Sequence, residues 1–246
     1  MKRFTIFAYG VLAYVAFNAS FLYFAAYLLG FVGPTGDVPF GQALATNLGL
    51  VFLFGLTHSG MARDGFKSWL TKYLPVEAER STFVMQSSIF LALAVWGWQP
   101  MSGVVWAFDG VVAIAFYAAF AVGLGTLLLS TFLIDHFELF GLRQIWSHLT
   151  NKDMPEPTFK TPLLYRVVRH PMQLGVVIVL FATPEMTVDH LVMALSMTAY
   201  VMVGLYFEER SLKRMFGQQY LDYAARVPML FPTGRFYRDP IATPAE

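Results

Sequence analysis

The distribution of apolar residues along the chain predicts a bundle of membrane-spanning helices. Long apolar runs are separated by short polar segments. Because a hydrocarbon core about 30 Å thick requires roughly 20 apolar residues per helix, four of these runs qualify as spans. They are Phe4–Val32, Phe40–Met61, Thr82–Trp98 and Gly110–Leu133. The first run is too long for a cleaved signal peptide, so we interpret it as the first span.

A fifth apolar run is shorter and ends in helix-breaking residues. It begins near Met172 and stops at Thr183-Pro184-Glu185, and a sixth run covers Leu191 to Phe207. The breakers between these two runs, residues 184–189, predict a turn. We therefore expect an all-α polytopic membrane bundle of five to six spans, with a helical hairpin at its C-terminal end.

The composition supports a lipid environment. Of the 246 residues, 57% are hydrophobic and 13% are charged, whereas a soluble domain has about 25% charged residues. The net charge of +1 gives no reason to expect a nucleic-acid partner. Because the chain contains no cysteine, it has no disulfides, no thiolate metal ligands and no cysteine nucleophile. No metal site is expected.

The basic residues predict how the bundle is oriented. With six spans, one side would carry three loops that contain no Lys or Arg: 33–39, 99–109 and 184–190. All 17 basic residues fall in four other segments: the N-terminus, 63–80, 143–169 and the tail from Arg210. Since basic residues accumulate on the cytoplasmic side of membrane proteins, both termini are expected to be cytoplasmic.

The long polar segments lie on the same predicted side. They are Asp135–His170 and Glu208–Glu246, and the loops of the other side are too short to form a site. We expect one membrane domain over residues 1–246. Its four-span part covers residues 1–134, and its catalytic part on the cytoplasmic face covers residues 135–246.

A first polar cluster closes the fourth apolar run. There His136 follows Asp135 and precedes Glu138 and Arg143. A histidine beside carboxylates can accept a proton, because a nearby negative charge raises its pKa. The plainer interpretation is a solvated helix end in which Arg143 pairs with the acids. Near the end of the second run, His58 is either part of this chemistry or a packed residue.

A second cluster precedes the fifth run. Pro171 suits the first turn of a helix, where its missing N–H costs nothing. Arg169 and His170 would then stand beside the free N–H groups of the helix start, which predicts an anion site. The plainer interpretation is that the basic residues anchor the chain at lipid headgroups.

A third cluster follows the sixth run. The adjacent carboxylates of Glu208 and Glu209 point about 100° apart on a helix, so only one of them can face the bundle comfortably. The plainer interpretation is a surface helix in which Glu209 pairs with Lys213.

These clusters fit a ligand with an amino acid head, an adenosine and a sulfonium. Its carboxylate would bind near Arg169 and His170, and its ammonium near Glu208 or Glu209. Aromatic faces suited to the adenine and the sulfonium are available at Tyr206, Phe216, Tyr220 and Tyr223. S-adenosylmethionine has these parts, although the residues alone do not single it out.

Two motifs carry a resemblance to a known superfamily. They read Arg169-His170-Pro171-x-x-x-Gly175 and Glu208-Glu209-x-x-Leu212-x-x-x-Phe216-Gly217-x-x-Tyr220-x-x-Tyr223. They resemble the isoprenylcysteine carboxyl methyltransferase and phospholipid methyltransferase superfamily. The resemblance implies a pocket for S-adenosylmethionine on the cytoplasmic side, formed by the hairpin and the tail.

We expect ten residues to bind that cofactor: Arg169, His170, Pro171, Gln173, Gly175, Tyr206, Glu208, Glu209, Tyr220 and Tyr223. The chain departs from the superfamily pattern at one of them. Where the pattern has an aromatic residue two positions after Pro171, this chain has Gln173. A stacking contact is therefore missing or is made by another residue.

Two further motifs are similar to those of bacterial methanethiol S-methyltransferases. They are His58-Ser59-x-Met61-Ala62-Arg63 and the stretch from Ile134 to Gln144. Those enzymes form dimethyl sulfide from methanethiol. The similarity implies a small thiol as substrate, membrane lipid as surroundings, and a location in a bacterial inner membrane with the active site facing the cytoplasm.

A thiol is a poor nucleophile until it loses its proton, so such an enzyme needs a base or a positive field. We expect His136 to be the base and Asp135 to orient or polarise it, with Arg143 and His58 as second choices for the groups that shape the local field. Two alternatives stay open. The same cofactor site can serve methylation of a lipid headgroup or a prenyl-cysteine carboxylate, and His58 with His136 can instead ligate a haem.

Overall fold

The computed structural model describes residues 2–155 and 158–234. In chain order its helices are α1 (Lys2–Leu28), α2 (Phe40–Met61), α3 (Asp64–Leu70), α4 (Val76–Trp96), α5 (Gly110–Ile134), α6 (His136–Leu139), α7 (Leu142–Thr150), α8 (Pro171–Phe181) and α9 (Val188–Arg226). Two short strands, β1 (Val104–Ala107) and β2 (Glu185–Thr187), and a 3-10 helix at Leu163–Arg166 complete the elements. The last part of the predicted polar tail, residues 235–246, and residues 156–157 of the predicted middle polar segment lie outside the described residues.

Four helices, α1, α2, α5 and α9, are long and apolar enough to cross a membrane. The predicted class, a helical membrane bundle, is thereby confirmed. With 39 residues, α9 is the longest of them. Its residues 188–216, before a break at Gly217, rise about 44 Å, which exceeds the thickness of a hydrocarbon core. The helix is therefore long enough to extend beyond the membrane.

Two shorter apolar helices complete the bundle. The predicted third span corresponds to α4, whose first turns carry Glu77, Glu79 and Arg80. From Thr82 to its end at Trp96, α4 rises about 22 Å, which is short of the hydrocarbon core. It packs between α1 and α2. The predicted fifth run forms α8, with 11 residues.

The helices form a closed ring. Along it α1 packs on α4, α4 on α2, α2 on α9, α9 on α8 and α8 on α5. Directly after α5, α6 returns to α1 through a hydrogen bond between Tyr14 and His136. One apolar core is shared by these helices, with members from six of them: Phe24, Leu28, Val51, Val95, Phe120, Leu180 and Met193.

Helices α5 and α8 approach each other closely at Gly123 and Gly175. A Cβ atom on Gly175 would lie 2.7 Å from the carbonyl oxygen of Gly123 and 2.7 Å from the amide nitrogen of Leu127. Both are backbone atoms, which cannot move aside as a flexible side chain does. Gly175 therefore allows the two backbones to touch, as small residues do between membrane helices.

Two strands that the all-α prediction missed lie at one end of the bundle. β1 pairs antiparallel with β2, with Val104 opposite Thr187 and Trp106 opposite Met186. Consecutive β-branched and aromatic residues favour this extended pairing. The predicted turn at 184–189 is thus shared between β2 and the first turn of α9.

The same end holds the three loops that lack Lys and Arg, and we call it the distal end. The Tyr27 hydroxyl donates a hydrogen bond to Asp189 Oδ2 over 3.0 Å. Asn47 Nδ2 donates to the Gln99 carbonyl over 3.0 Å and Asn47 Oδ1 accepts from the Gln99 amide over 2.7 Å. The loops therefore share one end, as the sequence predicts. We call the opposite end, which carries the Lys and Arg residues, the basic end.

We expect Gly175→Ala to lower the stability of the bundle by about 1–3 kcal/mol, because the added methyl group must push α8 away from α5. Gly125→Ala on α5 is the matched control, since nothing lies within 4 Å of its Cβ position. Thermal unfolding of the purified proteins in detergent measures both. Equal midpoints for the two variants would contradict the backbone contact.

Candidate functional site

At the basic end, one carboxylate oxygen joins three residues of the predicted cofactor motifs. Glu209 Oε1 accepts hydrogen bonds from Arg169 Nε over 2.8 Å, from His170 Nε2 over 2.8 Å and from the Tyr220 hydroxyl over 2.7 Å. Glu209 is 7% exposed. The structure thus brings the Arg-His-Pro and Glu-Glu motifs together, and we call these four residues the Glu209 cluster.

A break in α9 makes this cluster possible. On a straight helix Glu209 and Tyr220 would be about 16 Å apart along the axis, yet their side chains form a hydrogen bond. Between them Gly217 has φ 54° and ψ −129°, a conformation that an L side chain rarely adopts and glycine adopts freely. Gly217 therefore lets the end of α9 fold back onto Glu209.

The start of α8 is fixed by the chain that follows α9. Pro171 occupies the first turn of α8 as predicted. The amide of Arg169 donates to the Pro228 carbonyl over 2.9 Å, and the amide of His170 donates to the Met229 carbonyl over 3.1 Å. Two segments about 60 residues apart in sequence therefore form one short pairing beneath the cluster.

The Arg169 side chain, which the sequence predicted to bind an anion, is held mainly by the protein. Besides Glu209, it donates from Nη1 to the carbonyls of Ala224 and Val227 over 2.8 and 2.7 Å. Its Nη2 has no hydrogen bond within the described residues. A cavity of about 430 Å³ opens beside Arg169, and its other lining residues are Ala224, Ala225, Arg226, Val227, Pro228 and Thr233.

The two adjacent glutamates have different surroundings. The side chain of Glu208 is 44% exposed and that of Glu209 is 10% exposed, which agrees with the expectation that only one faces the bundle. Glu208 Oε2 accepts from Gln173 Nε2 over 3.0 Å, and His170 Nδ1 lies 3.8 Å from Glu208 Oε1. The ion pair between Glu209 and Lys213 is also present, at 3.9 Å. Glu208 is the carboxylate that a ligand can reach.

The aromatic residues expected to stack on the cofactor pack mostly on one another. Tyr220 and Tyr223 are 1% and 3% exposed. The ring of Phe159 lies 5.1 Å from that of Phe216 and 5.4 Å from that of Tyr223. Phe159 was missed by the sequence analysis because it stands in an irregular polar segment. These side chains support the Glu209 cluster by burial.

Tyr206 lies apart from that packing. It is 58% exposed, and its hydroxyl accepts a hydrogen bond from Arg210 Nη1 of its own helix over 3.4 Å. The described contacts do not bring it to the Glu209 cluster.

A second polar cluster surrounds His136 at the end of α5. The imidazole Nδ1 is 2.8 Å from Thr131 Oγ1, and Nε2 is 2.8 Å from the Tyr14 hydroxyl. The ring of Phe132 stacks on the imidazole at 4.1 Å. His136 is 6% exposed. We call His136, Thr131 and Tyr14 the His136 cluster.

The hydrogen bonds of Thr131 determine which nitrogen of His136 carries the proton. The Thr131 hydroxyl donates its hydrogen to the Leu128 carbonyl over 2.7 Å, so it accepts from Nδ1–H. Nε2 is then unprotonated and accepts from Tyr14. Burial lowers the pKa of His136, and the charge of Asp135 offsets part of that effect. The imidazole is therefore neutral near pH 7.

The Asp135 carboxylate does not hydrogen-bond to the imidazole, because it bonds elsewhere, so its predicted influence on His136 is reduced to that of its charge. Oδ1 accepts from the Glu138 amide over 3.0 Å as the N-cap of α6, and Oδ2 pairs with Arg143. Thr131 orients His136 instead. The pairing of Asp135 with Arg143 is the plainer interpretation of this helix end, and it compensates the charge of Arg143.

His58 is a packed residue. Its Nδ1 lies 3.0 Å from Ser87 Oγ of α4, and its ring lies 4.7 Å from that of Phe83 and 5.4 Å from that of Phe54. The described contacts do not join it to His136. Both ring nitrogens of His136 are occupied by protein hydrogen bonds, so neither offers a lone pair to an iron. The geometry therefore does not support the haem alternative.

The rest of the His58 motif holds α2 against α9. Ser59 Oγ lies 3.1 Å from the Tyr200 hydroxyl, and the Arg63 guanidinium lies 4.1 Å above the Phe207 ring. The motif thus closes the helix ring at the basic end.

A chain of two hydrogen bonds links Tyr223, which packs on Tyr220 of the Glu209 cluster, to α5. The Tyr223 hydroxyl donates to the Tyr165 carbonyl over 2.6 Å, and the Tyr165 hydroxyl donates to the Ser130 carbonyl over 3.4 Å. Ser130 is followed by Thr131, which orients His136. Burial and the nearby charge of Glu208 raise the pKa of Tyr165. The two clusters are therefore linked through Tyr223, Tyr165 and two adjacent residues of α5.

Comparison with known proteins agrees with the motifs. A family profile described as NnrU protein matches residues 47–231. Methanethiol S-methyltransferase of Mycobacterium tuberculosis is 44% identical over 94% of this chain and 98% of its own. Methanethiol S-methyltransferase 2 of Bradyrhizobium diazoefficiens is 43% identical, over 94% and 91%.

The chain belongs to the methanethiol S-methyltransferase family. A further relative of that name, from Crocosphaera subtropica, is 40% identical over 94% of this chain and 93% of its own. No solved structure matches the chain. The resemblance carried by the motifs is thereby confirmed, and with it the class of enzyme, a methyltransferase.

Some residues around His136 and the Glu209 cluster could not be identified from the sequence. Thr131 stands five positions before His136, a spacing that a helix followed by a turn can bring together, so a weak signal existed. Tyr14 is 122 positions away from His136, and nothing in its neighbourhood marks it. Tyr165 lies in the 3-10 helix that no periodicity predicted.

We expect Glu209→Ala to destabilise the protein by about 3–5 kcal/mol, because it leaves the buried guanidinium of Arg169 and the imidazole of His170 without their carboxylate. Glu208→Ala is the matched control and should cost less than about 1 kcal/mol, since that side chain is half-exposed. Thermal unfolding in detergent gives both values. Similar losses in the two variants would show that Glu209 does not hold the cluster.

Proposed function

We propose that this protein transfers the methyl group of S-adenosylmethionine to methanethiol, forming dimethyl sulfide at the basic end. The observation that carries the proposal is the hydrogen-bonded link between the Glu209 and His136 clusters, which runs through Tyr223 and Tyr165 to α5. The names of the relatives support the same acceptor. When bound, the cofactor supplies an electrophilic methyl carbon on a sulfonium.

Glu208 is the residue that we assign to the ammonium of the methyl donor. Its carboxylate is exposed, and among the described hydrogen bonds it accepts only from Gln173. Glu209 already accepts three hydrogen bonds and has no comparable freedom. An ammonium and a carboxylate form a strong charge-assisted hydrogen bond. Gln173, which replaces the aromatic residue of the superfamily pattern, would then contact the donor beside Glu208.

Arg169, His170 and Tyr220 hold Glu209 in place by hydrogen bonds, and thereby position the adjacent Glu208. The free Nη2 of Arg169 is suited to the donor carboxylate, next to the cavity described above. The predicted roles of Pro171 and Gly175 become indirect in this arrangement. Pro171 begins α8, and Gly175 lets α8 pack closely on α5. Both therefore position the residues that bind the methyl donor, without contacting the methyl donor themselves.

His136 is the base that we assign to the thiol. It is neutral, buried and fixed by Thr131, which suits a group that must accept a proton. A small apolar thiol can reach it through the lipid. The surrounding helices exclude water, which strengthens electrostatic interactions near the sulfonium.

We place the basic end in the cytoplasm of a bacterial cell, with the bundle in the inner membrane. All 17 Lys and Arg residues lie outside the three loops of the distal end. The accumulation of positive charge on the cytoplasmic side supports this orientation. Both termini are then cytoplasmic, and the polar donor enters from water.

The proposed reaction predicts a selective methyl acceptor. Purified protein with S-adenosylmethionine is given methanethiol, a lipid amine or a prenyl-cysteine in parallel. We expect dimethyl sulfide from the first, detected by gas chromatography, and no methylated product from the other two. Methylation of the lipid amine or the prenyl-cysteine without formation of dimethyl sulfide would overturn the proposal.

The assignment of Glu208 predicts a loss of donor affinity. In Glu208→Ala we expect the dissociation constant for S-adenosylmethionine, measured by calorimetry, to rise about 10- to 100-fold, as for the loss of one hydrogen bond to a charged group. Asp222→Ala removes another exposed carboxylate of α9, which bonds Gln218, and should bind normally. Unchanged affinity in Glu208→Ala would reject the assignment.

A further inference from the structure

We propose that Tyr14 is a catalytic residue of this enzyme, which receives the proton of the thiol and passes its own proton to His136. The inference rests on the proposed methyl transfer to a thiol. It differs from direct deprotonation by His136, which is the role that the sequence suggested for that histidine.

Access to the imidazole leads to this conclusion. Nδ1 of His136 is covered by Thr131 and Nε2 by the hydroxyl of Tyr14. Phe132 covers one face of the ring at 4.1 Å, and Phe140 lies 4.8 Å from it. A thiol therefore cannot reach the basic nitrogen without displacing Tyr14. The nearest group able to accept a proton from it is the phenol oxygen.

The direction of the hydrogen bonds suits a relay. Because Thr131 gives its hydrogen to the Leu128 carbonyl, it must accept from Nδ1, and Nε2 must accept from Tyr14. The Tyr14 hydroxyl thus donates its hydrogen to Nε2, and the lone pairs of its oxygen remain available to accept a proton. Tyr14 is half-buried, and its oxygen is the polar atom that covers Nε2 of the imidazole.

The step balances in protons and electrons. The S–H bond of the thiol breaks as an O–H bond forms on Tyr14, and the original O–H bond of Tyr14 breaks as an N–H bond forms at Nε2 of His136. The sulfur electron pair forms the new S–C bond. The bond from the methyl carbon to the donor sulfur breaks, and its electron pair stays on that sulfur, which becomes a neutral thioether.

The acidities of the imidazolium and the thiol determine when the proton leaves the sulfur. An imidazolium is a much stronger acid than an alkyl thiol, and burial lowers the pKa of His136 further. The proton therefore leaves while the sulfur attacks, as in general base catalysis, and not beforehand. Tyr14 is never left as a phenolate, because it gains one proton as it gives up another.

Charged groups near His136 come from α4, from α6 with its N-cap residue, and from α7. They are Arg80, Asp135, Glu138 and Arg143, and the charge of Asp135 acts on the pKa of His136. Arg80 donates from Nε to the Leu139 carbonyl over 2.6 Å, and Arg143 pairs with Asp135. Hydrogen bonds and ion pairs hold these charged groups in place. A substitution at Tyr14 therefore removes the proton path and leaves the charged groups around His136 as they are.

Tyr14→Phe keeps the ring that packs 5.7 Å from Phe140 and removes only the hydroxyl. With methanethiol near pH 7 we expect kcat/KM to fall by about 100-fold or more, the range of general base catalysis. The loss should shrink as the pH rises and the thiol ionises by itself. It should also be small for an aromatic thiol, which is more acidic.

The matched control is Tyr9→Phe. Tyr9 lies on the same helix, and its hydroxyl donates to Thr82 Oγ1 over 3.2 Å, away from His136. We expect its activity at every pH and with either thiol to equal that of the wild type. Affinity for S-adenosylmethionine, measured by calorimetry, should be unchanged in both variants.

A measurement without the methyl donor tests the same hydrogen bond. In ¹⁵N spectra of histidine-labelled protein, the His136 signals are those lost in His136→Gln. We expect the Nδ1–H tautomer in the wild type, and a downfield shift of Nε2 in Tyr14→Phe but not in Tyr9→Phe. An unshifted Nε2 would mean that Tyr14 does not donate to it, and would overturn the proposal.

Two kinetic outcomes also overturn the relay. One is full activity of Tyr14→Phe with methanethiol near pH 7. The other is an equal loss with every thiol at every pH, which would indicate a structural role only. If instead the wild type forms no dimethyl sulfide under any condition, the proposed function fails, and the relay that rests on it fails as well.

Discussion

The site depends on one buried oxygen. Glu209 Oε1 accepts hydrogen bonds from the chain before α8, through Arg169 and His170, and from the end of α9, through Tyr220. A buried carboxylate is costly unless charged and polar partners compensate it, so these segments stay together or the region unfolds. This constraint sets where α8 begins, and α8 in turn meets α5 at Gly175. The hydrogen bonds of Tyr165 with Tyr223 and with Ser130 of α5 then connect this region to the surroundings of His136.

Much of this arrangement is readable from the residues. The apolar runs fix the spans, and an 11-residue helix followed by a long one returns the chain to its starting end, which is why the Arg-His-Pro and Glu-Glu motifs meet. The partners of His136 were not readable. A helix presents several residues to its neighbours, and only tertiary packing decides that Tyr14 reaches an imidazole 122 positions away. The strands were missed for a related reason, because β1 is stable only once β2 lies beside it.

The structure brings together many of the residues that the sequence singled out, but gives several of them supporting contacts. Arg169, Tyr220 and Tyr223 have the chemistry of ligand contacts, yet in the structure they mainly pair with Glu209 or bury it. A polar site inside a membrane protein needs such support, because unpaired groups in an apolar medium are expensive. For this reason we assign direct contact with a ligand to the less buried neighbours, Glu208 and Gln173. Beside His136, Thr131 makes the hydrogen bond that was expected of Asp135.

The short pairing of Arg169 and His170 with Pro228 and Met229 has a consequence for biosynthesis. The apolar helices of the described residues all precede residue 228 in the chain, so their insertion into the bilayer does not require the segment that clamps the start of α8. Insertion and completion of the Glu209 region are thus separable events in this protein. A chain that ended just short of Pro228 would keep all of these helices but lack the clamp.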